Sequence, residues 1–259
     1  MDLGIRGRKA IVCASSQGLG KACASALAEA GVSLVINGRD RERLELTAQE
    51  LRRSSGVEVT AVLADVSSAQ GQSELLTACP EPDILINNNG GPPYRDFREL
   101  DRQAMLTGLT MNMVAPIELI QKVVGPMQDR GFGRIVNITS MSVKMPLAGL
   151  DLSSGARAGL TAFVAGIART LAHRNVTINA LLPGSFYTAR LQQGIRASAQ
   201  RSGLSEAAIE QHDREQIPAR RFGTPEEFGY TCAFLCSVHA GYITGQSILM
   251  DGGAFPGAF

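Results

Sequence analysis

Residues 133–160 read GRIVNITSMSVKMPLAGLDLSSGARAGL, and this stretch decides the fold. Arg134-Ile135-Val136-Asn137-Ile138 is a short apolar run rich in β-branched residues, the pattern of a strand covered on both faces. The run breaks at Thr139-Ser140, crosses a loop interrupted by Pro146 and Gly149, and enters a long helical pattern near Ser153. A strand that carries a serine to its C-terminal end, followed by a helix returning past it, belongs to an open parallel sheet.

The same alternation extends in both directions. Lys9 to Ala14 (KAIVCA) predicts a first strand, followed by Ser15-Ser16-Gln17-Gly18-Leu19-Gly20 and a helix to Ala30. Strands are predicted at Val32 to Asn37, Val57 to Leu63 and Asp83 to Ile86, the last ending in Asn87-Asn88-Asn89-Gly90. Arg41 to Arg53 reads as a charged amphipathic helix, and Asp101 to Met127 as one long helix. Beyond the central unit come a strand at Val176 to Leu181, ending in Pro183-Gly184, and a polar helical region at about 188–216 expected to form a lid. Thr224-Pro225 starts a last helix as N-cap and N1, and Ser247 to Met250 is the final strand. Strands alternating with helices predict a doubly wound parallel α/β sheet. No repeat, low-complexity segment or linker divides residues 1–259, so one domain is expected.

The 259 residues are 44% hydrophobic, enough for a sizeable core, and carry a net charge of +1 with Lys and Arg scattered. That balance excludes a phosphate-backbone footprint, so no nucleic-acid partner is expected. No apolar run approaches the ~20 residues that span a bilayer, and no signal-peptide core is evident, so a cytoplasmic protein is expected. Five cysteines, odd in number and lacking ligand spacing, read as reduced structural residues. His173, His212 and His239 form no cluster, and no metal is expected.

Taken together, these motifs are similar to those of the short-chain dehydrogenase/reductase superfamily, and most resemble its β-ketoacyl-carrier-protein-reductase-like branch. The resemblance covers essentially the whole chain and implies a Rossmann-type sheet binding a dinucleotide. The family's T-G-x-x-x-G-x-G is matched by Cys13-Ala14-Ser15-Ser16-Gln17-Gly18-Leu19-Gly20, with Ala14 in place of the first glycine. A methyl group there is tolerable at negative φ and costly at positive φ. By resemblance, Ser15 to Gly20, Asp65, Val66, Asn87, Asn88, Gly90, Pro183, Gly184 and Thr188 contact the cofactor. Arg39 follows the second strand where the family discriminates between cofactors; a guanidinium there suits a 2′-phosphate, so NADP(H) is favoured over NAD(H).

The resemblance also implies the chemistry and where it departs. Asn112 and Ser140 keep the family's water-positioning asparagine and carbonyl-binding serine. The catalytic tyrosine and lysine positions hold Ser153 and Arg157. An aliphatic hydroxyl is a far weaker acid than a phenol of pKa about 10, and a guanidinium keeps a charge that can hold ribose without relaying protons. Tyr187, Lys144 and Tyr94 are conceivable replacements for the missing acid. A hydrolase built on Ser153-Ser154 is disfavoured, because no G-x-S-x-G elbow accompanies them. Three readings stay open: a carbonyl/alcohol oxidoreductase with an atypical catalytic set, a catalytically silent dinucleotide- or partner-binding protein, and a structural subunit whose cofactor site Ala14, Asn89 and Arg157 have closed. The stretches 91–94 and 141–152 are expected to line a mostly apolar substrate pocket, and a homotetramer is expected by analogy.

Overall fold

The computed structural model describes residues 1–92 and 94–257; Pro93, within the stretch expected to line the pocket, lies outside them. The first half runs β1 (Lys9–Val12), α1 (Gly18–Glu29), β2 (Ser33–Gly38), α2 (Arg41–Ser55), β3 (Val59–Leu63), α3 (Ala69–Ala78) and β4 (Ile84–Asn87). Then α4 (Arg102–Leu109) and α5 (Ala115–Arg130) lead to β5 (Gly133–Ile138), and α6 (Asp151–Leu171) returns to β6 (Val176–Pro183). Last come α7 (Ala189–Ser202), α8 (Glu206–Glu215), α9 (Pro225–Cys236) and β7 (Ser247–Met250).

All seven strands are parallel, in the order β3-β2-β1-β4-β5-β6-β7. Successive side chains on a strand point to opposite faces, so each strand feeds two cores. From β1, Ala10 and Val12 join α1, α2 and α9 on one side, while Ile11 faces α3, α5 and α6 on the other. The order reverses between β1 and β4, and the crevice outside the carboxyl ends of those strands is where such a sheet binds ligands.

The single helix expected from Asp101 to Met127 is instead interrupted. Between α4 and α5 the chain widens into a π-turn at Thr110–Val114, where the Ala115 N–H reaches back to the Thr110 carbonyl. Pro116 explains the widening. It has no N–H to give the carbonyl four residues earlier, and its ring crowds that carbonyl, which belongs to Asn112. The π-turn therefore falls on Asn112 itself.

The last helix starts as its sequence predicts, with a capping box between Thr224 and Glu227 and Pro225 in the first turn. All five cysteines are free and buried. Burial pushes the Cys13 thiol up to about 12, leaving it protonated and inert at neutral pH. Among the described residues no group of His, Cys, Asp and Glu could hold a metal, and no helix is long and apolar enough to cross a membrane.

Candidate active site

A cleft of about 1590 Å³ opens along the carboxyl ends of the strands. It exceeds the roughly 300–1,000 Å³ that one drug-sized ligand occupies, so it has room for two molecules side by side. One end is built by the β1–α1 turn. Gln17 caps α1 without a side-chain hydrogen bond, so no side chain of its own occupies the first-turn amides, which remain available to an anion. Gly18 adopts φ +58°, open to the cleft and facing Thr188. Gly20 is needed for close packing: a Cβ there would lie 2.4 Å from the Ala14 carbonyl oxygen and 2.8 Å from Asn88 Nδ2.

Ala14 itself adopts φ +44°. The turn does require the left-handed region, and the methyl group is retained against it. Asn37 Oδ1 accepts from the Ala14 N–H at 2.6 Å, and Asn88 Nδ2 donates to the Ala14 carbonyl at 3.1 Å. These two asparagines pin the peptide on both sides. Left-handed backbone costs a residue with a Cβ roughly 1–2 kcal/mol, so Ala14→Gly should raise unfolding free energy by up to about 1 kcal/mol after the added unfolded-state entropy. Urea denaturation of the two proteins measures it.

Arg39 extends beyond β2 with its side chain 68% exposed, and its nearest acid, Asp65, stands 4.0 Å away. At that distance the guanidinium is only loosely held. A charged donor set beside a glycine turn with open amides fits the phosphates of a dinucleotide, and Arg39 fits a phosphate on the adenine ribose.

Fifteen of the sequence-selected positions line the cleft: Ser16, Gln17, Gly18, Leu19, Arg39, Asp65, Val66, Asn88, Gly90, Ser140, Ser153, Arg157, Pro183, Gly184 and Thr188. Four stand one layer behind it. Ser15 is fully buried, its hydroxyl donating to the Val12 carbonyl and accepting from the Asn37 N–H. Gly20 lies beneath the turn. Asn87 donates to Asn137 Oδ1 at 2.9 Å, tying β4 to β5. Asn112 is buried with Nδ2 directed at the carbonyls of Gly90 and Gly108, and its Oδ1 has no protein donor among the described residues. That acceptor suits a bound water. Asn89, replacing the small residue of the resembling motif, donates to Ser67 and to the Met111 carbonyl and fastens the trough loop to the π-turn.

At the other end, Ser140 caps a short turn, its Oγ accepting from the Ser142 N–H at 3.1 Å. The hydroxyl proton stays available to a ligand oxygen. Ser153 and Arg157 lie four residues apart on one face of α6, and both are buried. Arg157 Nη1 donates to the carbonyls of Ile138 at 2.9 Å and Thr139 at 3.1 Å, and Nε donates to Ser153 Oγ at 3.2 Å. Nη2 reaches the Asn89 carbonyl only at 3.5 Å. Burial, and then the charge of Arg190, pull Arg157 down to about 10.

The three conceivable acids separate clearly. Tyr94 lines the cleft. Tyr187 instead stacks on Phe222 with ring centroids 6.1 Å apart, and Lys144 sits 5.9 Å from the ring of Phe255. Neither belongs to the cleft wall. Met141, Met145, Leu147 and Leu150 do line it, as the apolar expectation requires, but Arg95, Arg190 and Arg201 line it as well. The sequence reading missed Arg190. Its signal is a positive charge in the first turn of a helix, where the dipole disfavours it.

A family model described as enoyl-(acyl carrier protein) reductase matches residues 13–254. A 3-oxoacyl-(acyl-carrier-protein) reductase of Aquifex aeolicus is 32% identical over 259 residues, covering 98% of this chain and 100% of that one. An NADPH-dependent reductase of Bacillus subtilis is 33% identical over 252 residues, covering 95% and 97%. The structure of L-sorbose reductase from Gluconobacter frateurii, complexed with NADPH and L-sorbose, is similar with a TM-score of 0.94 at 27% identity, covering 99% of this chain and 100% of that one.

Proposed function

Because the chain belongs to the short-chain dehydrogenase/reductase family, we propose that it is an NADP(H)-dependent oxidoreductase interconverting a carbonyl and an alcohol with an atypical catalytic set. The observation that carries this reading is the cleft itself. It joins a glycine turn with open amides, the loosely held Arg39 and the uncommitted proton of Ser140 along one sheet edge.

The reduced dinucleotide, when bound, supplies a hydride whose electron pair becomes the new C–H bond at the carbonyl carbon. The carbonyl π electrons collect on oxygen, where Ser140 donates a hydrogen bond, and water supplies the proton. Asn112 holds that water through its unpartnered Oδ1. Arg157 keeps a fixed positive charge beside the Ser140 peptide and stabilises the developing oxyanion. General acid catalysis is worth about 10²–10⁴-fold, so turnover without a phenol is slower but not abolished. Helices α7 and α8 act as a lid over the substrate end. The exposed apolar side chains Met105, Leu106, Leu109 and Phe163 on α4 and α6 form a self-association face for a homotetramer, and the protein works in the cytoplasm.

NADPH consumption with activated ketones tests the reading, with NADH beside it. Arg39→Ala should raise KM for NADPH about tenfold or more, the loss of one charge-assisted contact, and leave NADH nearly unchanged. Equal effects on both cofactors would remove Arg39 from the role. The serine at the family's tyrosine position, Ser153, favours the second reading, a silent binding protein; it predicts NADPH binding without turnover on any ketone.

A further inference from the structure

Arg157 and Arg190 converge on Ser153. A Cβ placed on Gly91 would lie 3.0 Å from Arg190 Nη2, 3.3 Å from Arg190 Nη1 and 3.5 Å from Ser153 Oγ, so the second guanidinium and the serine hydroxyl flank one point in the cleft. Arg157 Nε is bonded to that same hydroxyl. Among the described residues neither arginine has a carboxylate within 4.0 Å; Arg157 is buried and Arg190 exposed. Arg134, for comparison, is wrapped by the carbonyls of Gly133, Asn175 and Ser237 and by Asn175 Oδ1. Of the five acids lining the cleft, Asp65 faces Arg39, Asp40 faces Arg43, Asp96 faces Arg98, and Asp251 accepts from the amides of Gly253 and Phe255; Asp213, on α8, pairs with neither Arg157 nor Arg190 within 4.0 Å. The Arg190 side chain makes no hydrogen bond with the described residues, and its charge sits in the first turn of α7, against the helix dipole. Two like charges thus flank the space beside Gly91 and Ser153, Arg157 from the buried side and Arg190 from the exposed side. One Nη2 proton of Arg157 and the whole fork of Arg190 remain to be used.

We propose that this pair binds the carboxylate of the substrate, which is therefore an oxo acid with its carboxylate close to the reacting carbonyl. The proposal rests on the oxidoreductase reading above and narrows its substrate class. Arg157 Nη1 is bonded to the carbonyl of Thr139, the residue before Ser140, which puts the anion site and the carbonyl-polarising hydroxyl on the same stretch of the cleft wall. A bulky phenol at position 153 would fill the space beside Gly91 that the carboxylate takes; serine leaves it open. The two departures from the family pattern then act together, exchanging a proton donor for an anion pocket. Arg190 arrives on the lid, so substrate binding draws α7 onto the cleft. The reaction balances as before: hydride to the carbonyl carbon, a proton from water to its oxygen, and a 2- or 3-hydroxy acid as product.

The test titrates oxamate, a redox-inert oxo-acid mimic, into the protein saturated with NADPH, with neutral oxamide as control, by calorimetry. Oxamate binds and oxamide does not. Arg190→Ala weakens oxamate roughly 30-fold, the effect of truncating one partner of a close charge pair, and Arg190→Lys recovers part of the loss. Arg190 is exposed, so these variants fold, and unchanged melting temperatures verify it. Equal binding of oxamide, no loss in Arg190→Ala, or no oxamate binding below about 50 mM would overturn the proposal. Loss of oxamate binding when NADPH saturates the protein would also overturn it, since the anion would then occupy the place of a cofactor phosphate. Ketone reduction in the same preparation separates the two readings. Oxamate binding without turnover on any ketone or oxo acid keeps the anion site and sinks the oxidoreductase; turnover on neutral ketones without oxamate binding does the reverse.

Discussion

Ser140→Ala lowers kcat about 10²–10³-fold, the effect of deleting one preorganised donor to a developing oxyanion. The Oγ accepts from the Ser142 amide and so is fixed in place, while its proton has no acceptor among the described residues. Because this serine also caps a short turn, some stability is lost, about 1 kcal/mol. Binding of NADPH should stay within about threefold, because the phosphate-binding turn lies at the other end of the cleft. Steady-state kinetics beside a fluorescence titration of NADPH separate the two quantities. A fall in cofactor affinity matching the fall in kcat would mean that the turn had rearranged and that the hydroxyl was not acting on substrate.

The converse experiment restores what the sequence lacks. Ser153→Tyr combined with Arg157→Lys raises kcat for a neutral ketone roughly 10²–10⁴-fold, the usual value of a positioned general acid. Ser153 faces the cleft from the first turn of α6, and the space beside Gly91 admits the ring once Arg190 swings out. Arg157 must change with it, since its Nε is fixed on the Ser153 hydroxyl that the tyrosine removes. The lysine cannot reproduce both bonds to the Ile138 and Thr139 carbonyls, so the double variant loses about 1–3 kcal/mol of stability. Thermal unfolding checks that cost, and NADPH consumption checks the gain. A folded double variant that binds NADPH and stays as slow as the parent would show that the acid was never the missing part.

Most of the fold is legible because it rests on short-range pattern. Runs such as Ser33–Gly38 and Val176–Pro183 are mostly apolar, as suits strands buried on both faces, and the turn residues between them mark their ends. The capping box at Thr224 and Glu227 is equally local. The π-turn is not, although its cause is: Pro116 is plain in the sequence, but whether a proline kinks a helix or widens it depends on what packs against it. Ser140 and the glycine turn were placed by spaced motifs. Arg190 could not be, because its meaning comes from Gly91, Ser153 and Arg157, which reach it from three distant segments. The tie between Asn37 and the strained Ala14 peptide escaped for the same reason. Tyr187 and Lys144 looked suitable by position along the chain, yet a few residues of loop turned both away from the cleft.

The strand order has a consequence for synthesis. β1, β2 and β3 can pair as soon as they emerge from the ribosome, growing the sheet in one direction only. The other edge of β1 stays open until Ile84–Asn87 arrives and starts growth the opposite way. Until then the nascent chain exposes Ala10, Ile11 and Val12 on an unpaired, uncharged edge, the kind that joins other chains. A chain released from a ribosome stalled shortly before β4 would carry this β1 edge open, and pairing with β4 covers it.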